Sequence, residues 1–209
     1  MKQRKKRRKS PGRPAGGDAD ATRRQIVAAA VEEFAAHGYA GTRVVRIAER
    51  AGLTHAMLHY YFETKGALYE HVLTTLADPF RTLLVARKLD ADQLAEKTFR
   101  LFAQNRAYIR IVLWELAAGG GQLERLGLPS VEALEAGLLA RLGARVGTEA
   151  AQQGVASLLG ATLIYFFDDP TIDKLFGKQR FDDRAIDARA RHLASLAKRL
   201  FATPKAGTR

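Results

Sequence analysis

Side chains that could bind a phosphate backbone or the edges of bases are concentrated between residues 42 and 65. Basic, hydroxyl and aromatic side chains alternate there with small or flexible ones. Lysine, arginine, threonine and tyrosine can hydrogen-bond to phosphate oxygens, and smaller side chains allow close approach to base edges in the major groove. The candidate DNA contacts are Thr42, Arg43, Thr54, His55, Ala56, Met57, His59, Tyr60, Tyr61 and Lys65.

Enzymatic chemistry finds little support in the same sequence. The absence of cysteine excludes thiolate catalysis and cysteine-based metal sites. A glycine-rich phosphate loop, an HExxH zinc motif and a GxSxG nucleophile motif are also missing. His55 and His59 have the spacing of a zinc pair, but two side chains are too few for a metal site. We therefore expect a protein that is not an enzyme and has no cofactor or bound metal.

Two short amphipathic helices should position the candidate contacts. An apolar stripe at i, i+3, i+4 and i+7 predicts the first of them: Val44, Ile47, Ala48 and Ala51. Thr42 is its predicted N-cap, Gly52 can adopt the positive φ that ends a helix, and Thr54 can cap the next helix. Two helices joined by so short a turn predict a helix-turn-helix.

The second helix, from about Thr54 to Phe62, has distinct inner and outer faces. At 100° per residue, Leu58 and Phe62 point toward the core, whereas Ala56 and Tyr60 point away from it. This outer face, with its histidines and tyrosines, is the predicted groove-binding surface.

Lys65 lies in the predicted first turn of a fourth helix, for which Thr64 is the expected N-cap. A lysine there opposes the helix dipole, but a phosphate beside it would be bound by the ammonium and the free amide groups together. An exposed lysine with no partner is the alternative. The neighbouring candidates favour the phosphate contact.

Together these residues resemble the DNA-binding domain of the TetR family of transcriptional regulators. The resemblance is carried by Gly41-Thr42, Ile47-Ala48, Ala51-Gly52-Leu53-Thr54, Leu58, Tyr60-Tyr61-Phe62 and Thr64-Lys65. It implies an all-helical homodimer, in most members a repressor, whose divergent C-terminal domain binds a small ligand that releases the operator.

Three positions depart from the family pattern. His59 stands where the family usually has a tyrosine that contacts phosphate, which would make this contact sensitive to pH. His55 and Ala56 stand where members often carry lysine and glycine. The operator sequence is therefore not predicted from these residues.

Positive charge is concentrated near the N-terminus. The formal net charge is +12. Residues 1–66 contain 14 Lys or Arg and 6 Asp or Glu, an excess of 8 positive charges, whereas the remaining 143 residues carry an excess of only 4. An excess in the part that holds the helix-turn-helix is typical of a protein that binds a polyanion.

A basic run, Lys2 to Lys9, accounts for much of this excess and is followed by a segment rich in glycine and proline. Without apolar residues to bury, the arm should be disordered in the free protein. It could follow phosphates or enter the minor groove, as basic arms of other DNA-binding domains do. Gly12-Arg13-Pro14 resembles half of an AT-hook. A solvated tail that only raises non-specific affinity is the alternative.

The composition predicts an all-α fold, because helix-forming residues dominate and alternating β-branched runs are missing. Three regions are expected: a disordered basic arm at 1–19, a helix-turn-helix domain at 20–66, and a larger helical regulatory and dimerisation domain at 67–205. The longest apolar run, Val155 to Phe167, is too short to span a membrane. The basic N-terminus lacks the apolar segment of a secretory signal, which favours a cytoplasmic protein.

Hydrophobic periodicity and helix-ending signals predict the helices outside the helix-turn-helix. They are Asp20 or Thr22 to His37, Lys65 to Asp78-Pro79, Phe80 to Lys88, Gln93 to Asn105, Ala107 to Ala118, Val131 to Val146, Glu149 to Phe167 and Asp182 to Phe201. The aspartate pairs at 168–169 and 182–183 are interpreted as helix caps rather than as catalytic carboxylates.

Two of these helices, at about 149–167 and 182–201, are the predicted dimer interface. The first is apolar nearly all round and has small residues, among them Gly154 and Gly160, that permit close helix approach. A two-fold dimer matches half-sites that lie one DNA turn apart. The alternative is that both helices fill the core of a monomer.

Aromatic residues on the middle helices are the candidates for a ligand pocket. Trp114, Glu115, Tyr165 and Phe102 are the predicted ligand contacts, because a pocket needs an apolar lining with a few polar groups. Plain core packing is the alternative for each of them.

These observations predict a ligand-responsive DNA-binding transcriptional regulator, a homodimeric repressor that a small hydrophobic molecule releases from a palindromic operator. Its partners would be double-stranded DNA, a second copy of itself and the effector, with no membrane partner. The alternative is an architectural or nucleoid-type DNA-binding protein without an effector, which relies on the basic arm.

Overall fold

The computed structural model describes residues 16–84, 89–128 and 146–202, and all regular secondary structure in these ranges is helical. The predicted all-α fold is therefore confirmed. Ten α-helices lie wholly within the described ranges: α1 (Gly16–Gly41), α2 (Val44–Arg50), α3 (His55–Tyr61), α4 (Lys65–Leu84), α5 (Ala91–Gln104), α6 (Arg106–Ala117), α7 (Gly121–Arg125), α8 (Thr148–Leu163), α9 (Pro170–Phe176) and α10 (Asp183–Leu200). A 3₁₀ turn, Ile164–Phe166, follows α8.

Helices α1, α2 and α3 share one core and are called here the N-terminal unit, residues 16–62. Its buried apolar side chains include Ile26, Ala30 and Phe34 from α1, Ile47 and Ala48 from α2, and Leu58 from α3. The residues from α2 and α3 belong to the apolar faces predicted for those two helices. Burying a large apolar side chain contributes roughly 1.5–3 kcal/mol, so these contacts fix how the helices pack.

Helix α1 breaks its regular geometry at Gly38, where φ is 65°. A Cβ at this position would lie 3.1 Å from Trp114 Cδ2, so both the backbone angle and the close packing favour glycine. The regular part of α1 thus ends after His37, as predicted, although one further turn continues to Gly41. The helix also begins at Gly16, earlier than the predicted Asp20 or Thr22.

Helix α4 contradicts a predicted boundary. The sequence predicted an end at Asp78-Pro79 and a new helix from Phe80, whereas one helix continues through Pro79 to Leu84. Proline removes only one backbone donor from a helix. Ala77 and Phe80, on either side of it, are both buried. Their packing offsets the lost hydrogen bond and keeps the helix continuous.

The C-terminal region, residues 65–202, is built around the packing of α10 against α5 and α8. Gly154 of α8 lies against Phe201, where an added Cβ would be 2.8 Å from the ring atom Cε1. The close packing at Gly154 therefore lies within one chain, and its part in a dimer interface stays a prediction. Gly160 instead faces open space, since no atom lies within 4 Å of a Cβ built there.

Other predicted helices agree with the structure to within a few residues. The predicted helices at 93–105, 107–118, 149–167 and 182–201 correspond to α5, α6, α8 with its 3₁₀ turn, and α10. Two short helices, α7 and α9, were not predicted, and most of the predicted helix Val131 to Val146 lies outside the described residues. The basic arm through Ala15 lies outside them too.

Membrane-spanning potential is weak in the described helices. No single one of them is both long and apolar enough to cross a bilayer. Residues 148–166 and 170–176 would meet the length and composition criteria only as a pair, and this pair is bent by 106°.

Candidate nucleic-acid interface

The outer face of α3 is exposed, as its periodicity predicts. Tyr60 is the most exposed large hydrophobic residue in the described ranges, with 79% of its surface accessible. His55, Ala56, Met57 and His59 are exposed as well. Leu58, on the opposite face, is 1% exposed and anchors the helix. A helix of seven residues is thus held from one side and presents an aromatic and imidazole surface on the other.

The turn before α3 has the predicted construction. Gly52 has a φ of 64°, and the amide of Leu53 donates to the carbonyl of Ala48 over 2.9 Å. Thr54 caps α3 by accepting a hydrogen bond from the Met57 amide over 3.2 Å. A side-chain N-cap contributes about 1 kcal/mol, which matters for so short a helix.

His59 has a defined orientation. Its Nδ1 lies 3.0 Å from the carbonyl oxygen of Glu63, and a hydrogen bond between these atoms requires the proton on Nδ1. The Nε2 atom then has no part in this contact. The ring also packs edge to face on His55, with ring centroids 4.5 Å apart. Within the part of the chain that is described, no cluster of three or more His, Cys, Asp or Glu side chains could hold a metal.

Lys65 occupies the first turn of α4, as predicted, and the Thr64 hydroxyl caps this helix by accepting from the Ala67 amide over 3.0 Å. The Lys65 ammonium lies over the ring of Tyr39, 4.5 Å from its centroid. Partial burial lowers the pKa of Lys65. Tyr39 was not predicted to take part, because contact between residues so far apart in the chain leaves no local sequence signal.

The sequence assigned to Thr42 both the N-cap of α2 and a DNA contact, but the N-cap residue in the structure is Arg43. Arg43, which is exposed, is the N-cap residue of α2, and no side chain caps that helix. The prediction that Thr42 caps it is wrong. The Thr42 side chain is buried, and its hydroxyl donates to the carbonyl of Gly38 over 2.7 Å. Thr42 therefore stabilises the end of α1 and contributes no exposed side chain.

A buried carboxylate joins α1 to α2. Glu33 is 1% exposed and accepts hydrogen bonds from Arg50 Nε and Nη2 over 3.1 and 2.9 Å. Arg50 also binds Glu32 over 2.6 Å, and Arg46 lies 3.6 Å from Glu33. The hydrogen bonds that Arg50 donates to Glu33 raise the pKa of Arg50. Arg46 and Arg50 are thus partly neutralised, whereas no carboxylate among the described residues forms an ion pair with Arg43 or Lys65.

Arg23 is a further basic side chain beside α3 that was not predicted as a contact. Its guanidinium lies over Phe62, 4.9 Å from the ring centroid, and Nη2 lies 3.4 Å from the carbonyl oxygen of Tyr61. Tyr61 is half-buried and packs edge to face on Tyr60. Arg23 belongs to the polar side of α1, which gave no sequence signal beyond an exposed charge.

Two of the four predicted ligand contacts, Trp114 and Glu115, lie on α6 and contact other helices. Trp114 is 46% exposed, packs on Gly38 and donates from Nε1 to the carbonyl of Ala35 over 3.3 Å. Glu115, next to it, is 5% exposed and accepts a 2.6 Å hydrogen bond from the Tyr69 hydroxyl. Both side chains join α6 to other helices, so their polar atoms already have partners.

Tyr165 and Phe102 lie in the core. The Tyr165 hydroxyl donates to the carbonyl of Arg180, and burial raises the pKa of Tyr165. Phe102 packs against Phe80 and Phe166, with ring centroids 5.5 and 6.0 Å away. Both side chains therefore pack in the core, as expected from the alternative to a ligand contact.

The predicted capping roles of two aspartates are confirmed. Asp182 accepts from the Ala185 amide over 2.7 Å at the start of α10, and Asp169 accepts from the Thr171 amide over 2.7 Å at the start of α9. The hydrogen bonds from Thr171 lower the pKa of Asp169. Asp168 instead pairs with Arg110 over 3.2 Å.

Comparison with known proteins agrees with this geometry. Residues 26–72 match the family model of bacterial regulatory proteins of the tetR family. The chain is 34% identical over 104 residues to the HTH-type transcriptional repressor SCO4008 of Streptomyces coelicolor, covering 48% of this chain and 53% of that protein. It is 36% identical over 106 residues to the HTH-type transcriptional regulator RutR of Escherichia coli, covering 51% and 46%. The alignments thus span about half the length of these curated relatives.

A solved structure extends the similarity to nearly the whole chain. The crystal structure of SCO4942 from Streptomyces coelicolor superposes with a TM-score of 0.63 and 30% sequence identity, covering 88% of this chain and 99% of that one. The match therefore includes the C-terminal helices as well as the N-terminal unit. With its helix-turn-helix, its exposed α3 face and its helical C-terminal region, the chain belongs to the TetR family of bacterial regulatory proteins.

Proposed function

We propose that this protein is a homodimeric transcriptional repressor that binds a palindromic DNA operator and is released from it by a small molecule. The observation that carries the proposal is the exposed face of α3, where Tyr60 is 79% accessible while Leu58 beneath it is buried. An isolated exposed aromatic needs no explanation, but this one lies on a capped helix with two exposed histidines beside it. Such a surface fits a DNA groove.

The two kinds of contact would come from different residues. His55, Ala56 and Met57 at the start of α3 would lie nearest the base edges, where small or flexible side chains permit close approach. Arg43, His59, Tyr60, Tyr61 and Lys65 would bind phosphates, with Thr54 beside them at the helix start. Thr42 would support this surface from below, because its hydroxyl is already bonded to the Gly38 carbonyl.

Dimerisation would use the exposed sides of α8 and α10. On α8, Ala156, Ser157 and Gly160 are exposed, and space beside Gly160 is open. Ile164, which follows on from α8, exposes 40% of its surface. Small side chains with apolar neighbours allow a second helix to approach closely. A two-fold axis through this surface would present one α3 to each half-site.

The mechanism would be a shift between two populated arrangements of the dimer. In one, the two α3 helices match half-sites one DNA turn apart, and an effector that favours the other lowers operator occupancy. A coupling free energy of about 1–3 kcal/mol changes affinity roughly 5- to 150-fold.

Footprinting on the promoter beside the protein's own gene tests the proposal. A short palindromic footprint, formed by a particle with the sedimentation mass of a dimer, is the expected result. Uniform, salt-sensitive coverage of the DNA would contradict it and favour the architectural alternative instead.

The basic arm gives a second measurement. Residues 1–17 contain eight Lys or Arg, and their deletion should lower operator affinity and flatten its dependence on salt, because fewer counterions are released on binding. The order of preference among operator variants should not change. A changed preference would show that the arm reads the minor groove.

A further inference from the structure

An open cleft lies between the N-terminal unit and the C-terminal region. It consists of two adjoining cavities of about 570 and 310 Å³ that share Arg110, Phe166 and Asp168. The larger cavity reaches Glu32 and Ala35 of α1 and Arg50 of α2. It is separate from the aromatic core around Phe102 and Tyr165, whose side chains are already packed.

One face of α6 forms a continuous wall of this cleft. Arg106, Arg110 and Trp114 follow one another at intervals of four residues, so they lie on the same side of the helix. At a rise of about 1.5 Å per residue, successive members are roughly 6 Å apart along the axis. This spacing places a cation one helical turn from an exposed indole.

The larger cavity is lined by four arginines, and their partners differ. Arg50 binds Glu32 and Glu33, and Arg180 binds Asp173 and backbone carbonyls. Arg110 is paired over 3.2 Å with Asp168, whose side chain is 70% exposed.

Arg106 is exposed, and its guanidinium lies over the ring of Phe181, 4.7 Å from the centroid. No carboxylate within the described ranges forms an ion pair with Arg106. A free guanidinium beside a weakly held one is suited to bind an added carboxylate.

The smaller cavity is mainly apolar. Trp114 and Phe167 expose 46% and 48% of their surfaces there, and Leu113, Ala117 and Phe166 complete the apolar lining. Asp168 and Asp169 lie at its edge, where Asp169 is occupied as the cap of α9. Exposed aromatic faces of this kind stack favourably with a planar ring.

We propose that this cleft binds an aromatic carboxylate, with the ring between Trp114 and Phe167 and the carboxylate on Arg110 and Arg106. The inference rests on the proposed function, because it assigns the site and chemical class of the regulator's effector. Bidentate binding by a guanidinium distinguishes a carboxylate from a neutral amide of the same shape. An incoming carboxylate would share Arg110 with the solvent-exposed Asp168.

The cleft is connected to the N-terminal unit through Trp114. Its ring packs on Gly38, where α1 breaks, and its indole nitrogen donates to the carbonyl of Ala35. A ring stacked on Trp114 therefore changes the surroundings of the residue that holds α1 against α6. The position of α3 relative to the C-terminal region is coupled to occupancy of the cleft by this contact.

Trp114 is the only tryptophan of the chain, so fluorescence excited selectively in the indole reports on the surroundings of Trp114. Titration of the full-length protein with phenylacetate and hydrocinnamate should give a saturable change in emission. The neutral amide hydrocinnamide should bind at least about tenfold more weakly, since it cannot form the charge-assisted bonds. Arg106→Gln and Arg110→Gln should each weaken hydrocinnamate binding roughly 5- to 10-fold, with circular dichroism confirming that both variants are folded.

Arg24→Gln is the matched control, because Arg24 is exposed on α1 and lines neither cavity. It should bind hydrocinnamate as the unmodified protein does. The proposal is overturned if neither carboxylate gives a saturable change, if acid and amide bind equally, or if the double variant Arg106→Gln/Arg110→Gln keeps full affinity. The titration contains no DNA, so its outcome is independent of whether the footprinting experiment finds an operator.

Discussion

Aromatic side chains on the outer face of α3 differ in exposure from those in the core of the C-terminal region. On α3, Tyr60 is 79% accessible, and its ring packs edge to face on that of its neighbour Tyr61. In the C-terminal region, Phe102 and Tyr165 are 5% and 2% accessible and contact several rings each. The buried rings already pack against neighbouring side chains, whereas the exposed ring of Tyr60 has surface that a binding partner could cover.

This difference bears on where ligands bind. A buried aromatic is sufficiently explained by the free energy of removing its surface from water, and its position predicts no ligand. The exposed tyrosine on α3 and the exposed Trp114 beside Gly38 lack that explanation. Exposure therefore directs the search for DNA to α3 and the search for an effector to the cleft beside α6, away from the core.

The largest expected effect compares one core residue from each region. Phe34→Ala and Phe102→Ala should each lower the free energy of unfolding by about 3–5 kcal/mol, because both rings are buried and their removal leaves a cavity. Chemical denaturation at constant protein concentration measures this. Phe167→Ala, at a 48% exposed site, is the control and should cost much less.

A small effect of Phe102→Ala together with a large effect of Phe34→Ala would show that the two regions differ in how tightly their cores are packed. Phe102 would then line space that is not tightly packed, and the original interpretation of Phe102 as a ligand contact would regain support.

The hydrogen bond between Tyr69 and Glu115 allows a second test of a buried aromatic side chain, because it joins α4 to α6. Tyr69→Phe should lower the free energy of unfolding by about 1–3 kcal/mol, since it leaves a buried carboxylate without its 2.6 Å partner. Burial, with the hydrogen bond to Glu115, raises the pKa of Tyr69 well above the ordinary tyrosine value, so the hydroxyl remains a donor at neutral pH.

A double-mutant cycle with Glu115→Gln measures the Tyr69 interaction itself. Additive effects of the two substitutions would show that the hydrogen bond contributes nothing specific. Tyr61→Phe, at a half-buried side chain on α3, is the matched control and should leave stability nearly unchanged.

The sequence predicted the N-terminal unit well because its signals are local. Gly52 and Thr54 act within five residues of their own positions, and the apolar faces of α1 to α3 follow one period. Thr42 was assigned wrongly for the same reason: a local capping signal could not show that its hydroxyl bonds back to α1.

Predictions for the C-terminal region failed where the structure depends on contacts between residues that are distant in the chain. Pro79 has the local signature of a helix end, but buried neighbours from other helices keep α4 continuous. The partners of Trp114 and Glu115 are 79 and 46 residues away in the chain. Polar atoms that appear free for a ligand in the sequence are therefore occupied in the fold, and periodicity carries no information about such pairs.

Operator affinity tests whether the exposed side chains of α3 and of the start of α4 bind DNA. Tyr60→Ala and Lys65→Ala should each weaken binding roughly tenfold, about 1.4 kcal/mol, through loss of a phosphate contact, while the dimer mass stays the same. Fluorescence anisotropy with a labelled operator at fixed salt measures the change. Lys97→Ala is the control, because Lys97 is exposed on α5, away from α3. Unchanged affinity in both variants would remove the assignment of α3 and the α4 start as the DNA surface.

The smallest effect concerns two arginines that join helices. Arg50 binds the buried Glu33 in the N-terminal unit, whereas Arg100 binds the exposed Asp187 between α5 and α10. The hydrogen bond from Arg100 lowers the pKa of Asp187. A carboxyl group whose pKa is lower in the folded state stabilises the fold above its unfolded pKa of about 3.9, and this contribution disappears as pH falls through the folded value.

Arg100→Gln should therefore destabilise the protein slightly at neutral pH, with a difference from the unmodified protein that shrinks below about pH 4. Denaturant titrations of both proteins at several pH values measure this difference. Because the pair is solvent-exposed, added salt should reduce the neutral-pH effect as well. A difference independent of both pH and salt would mean that Arg100 acts through the packing of its aliphatic stem, and the two arginine sites would then differ in kind and not only in burial.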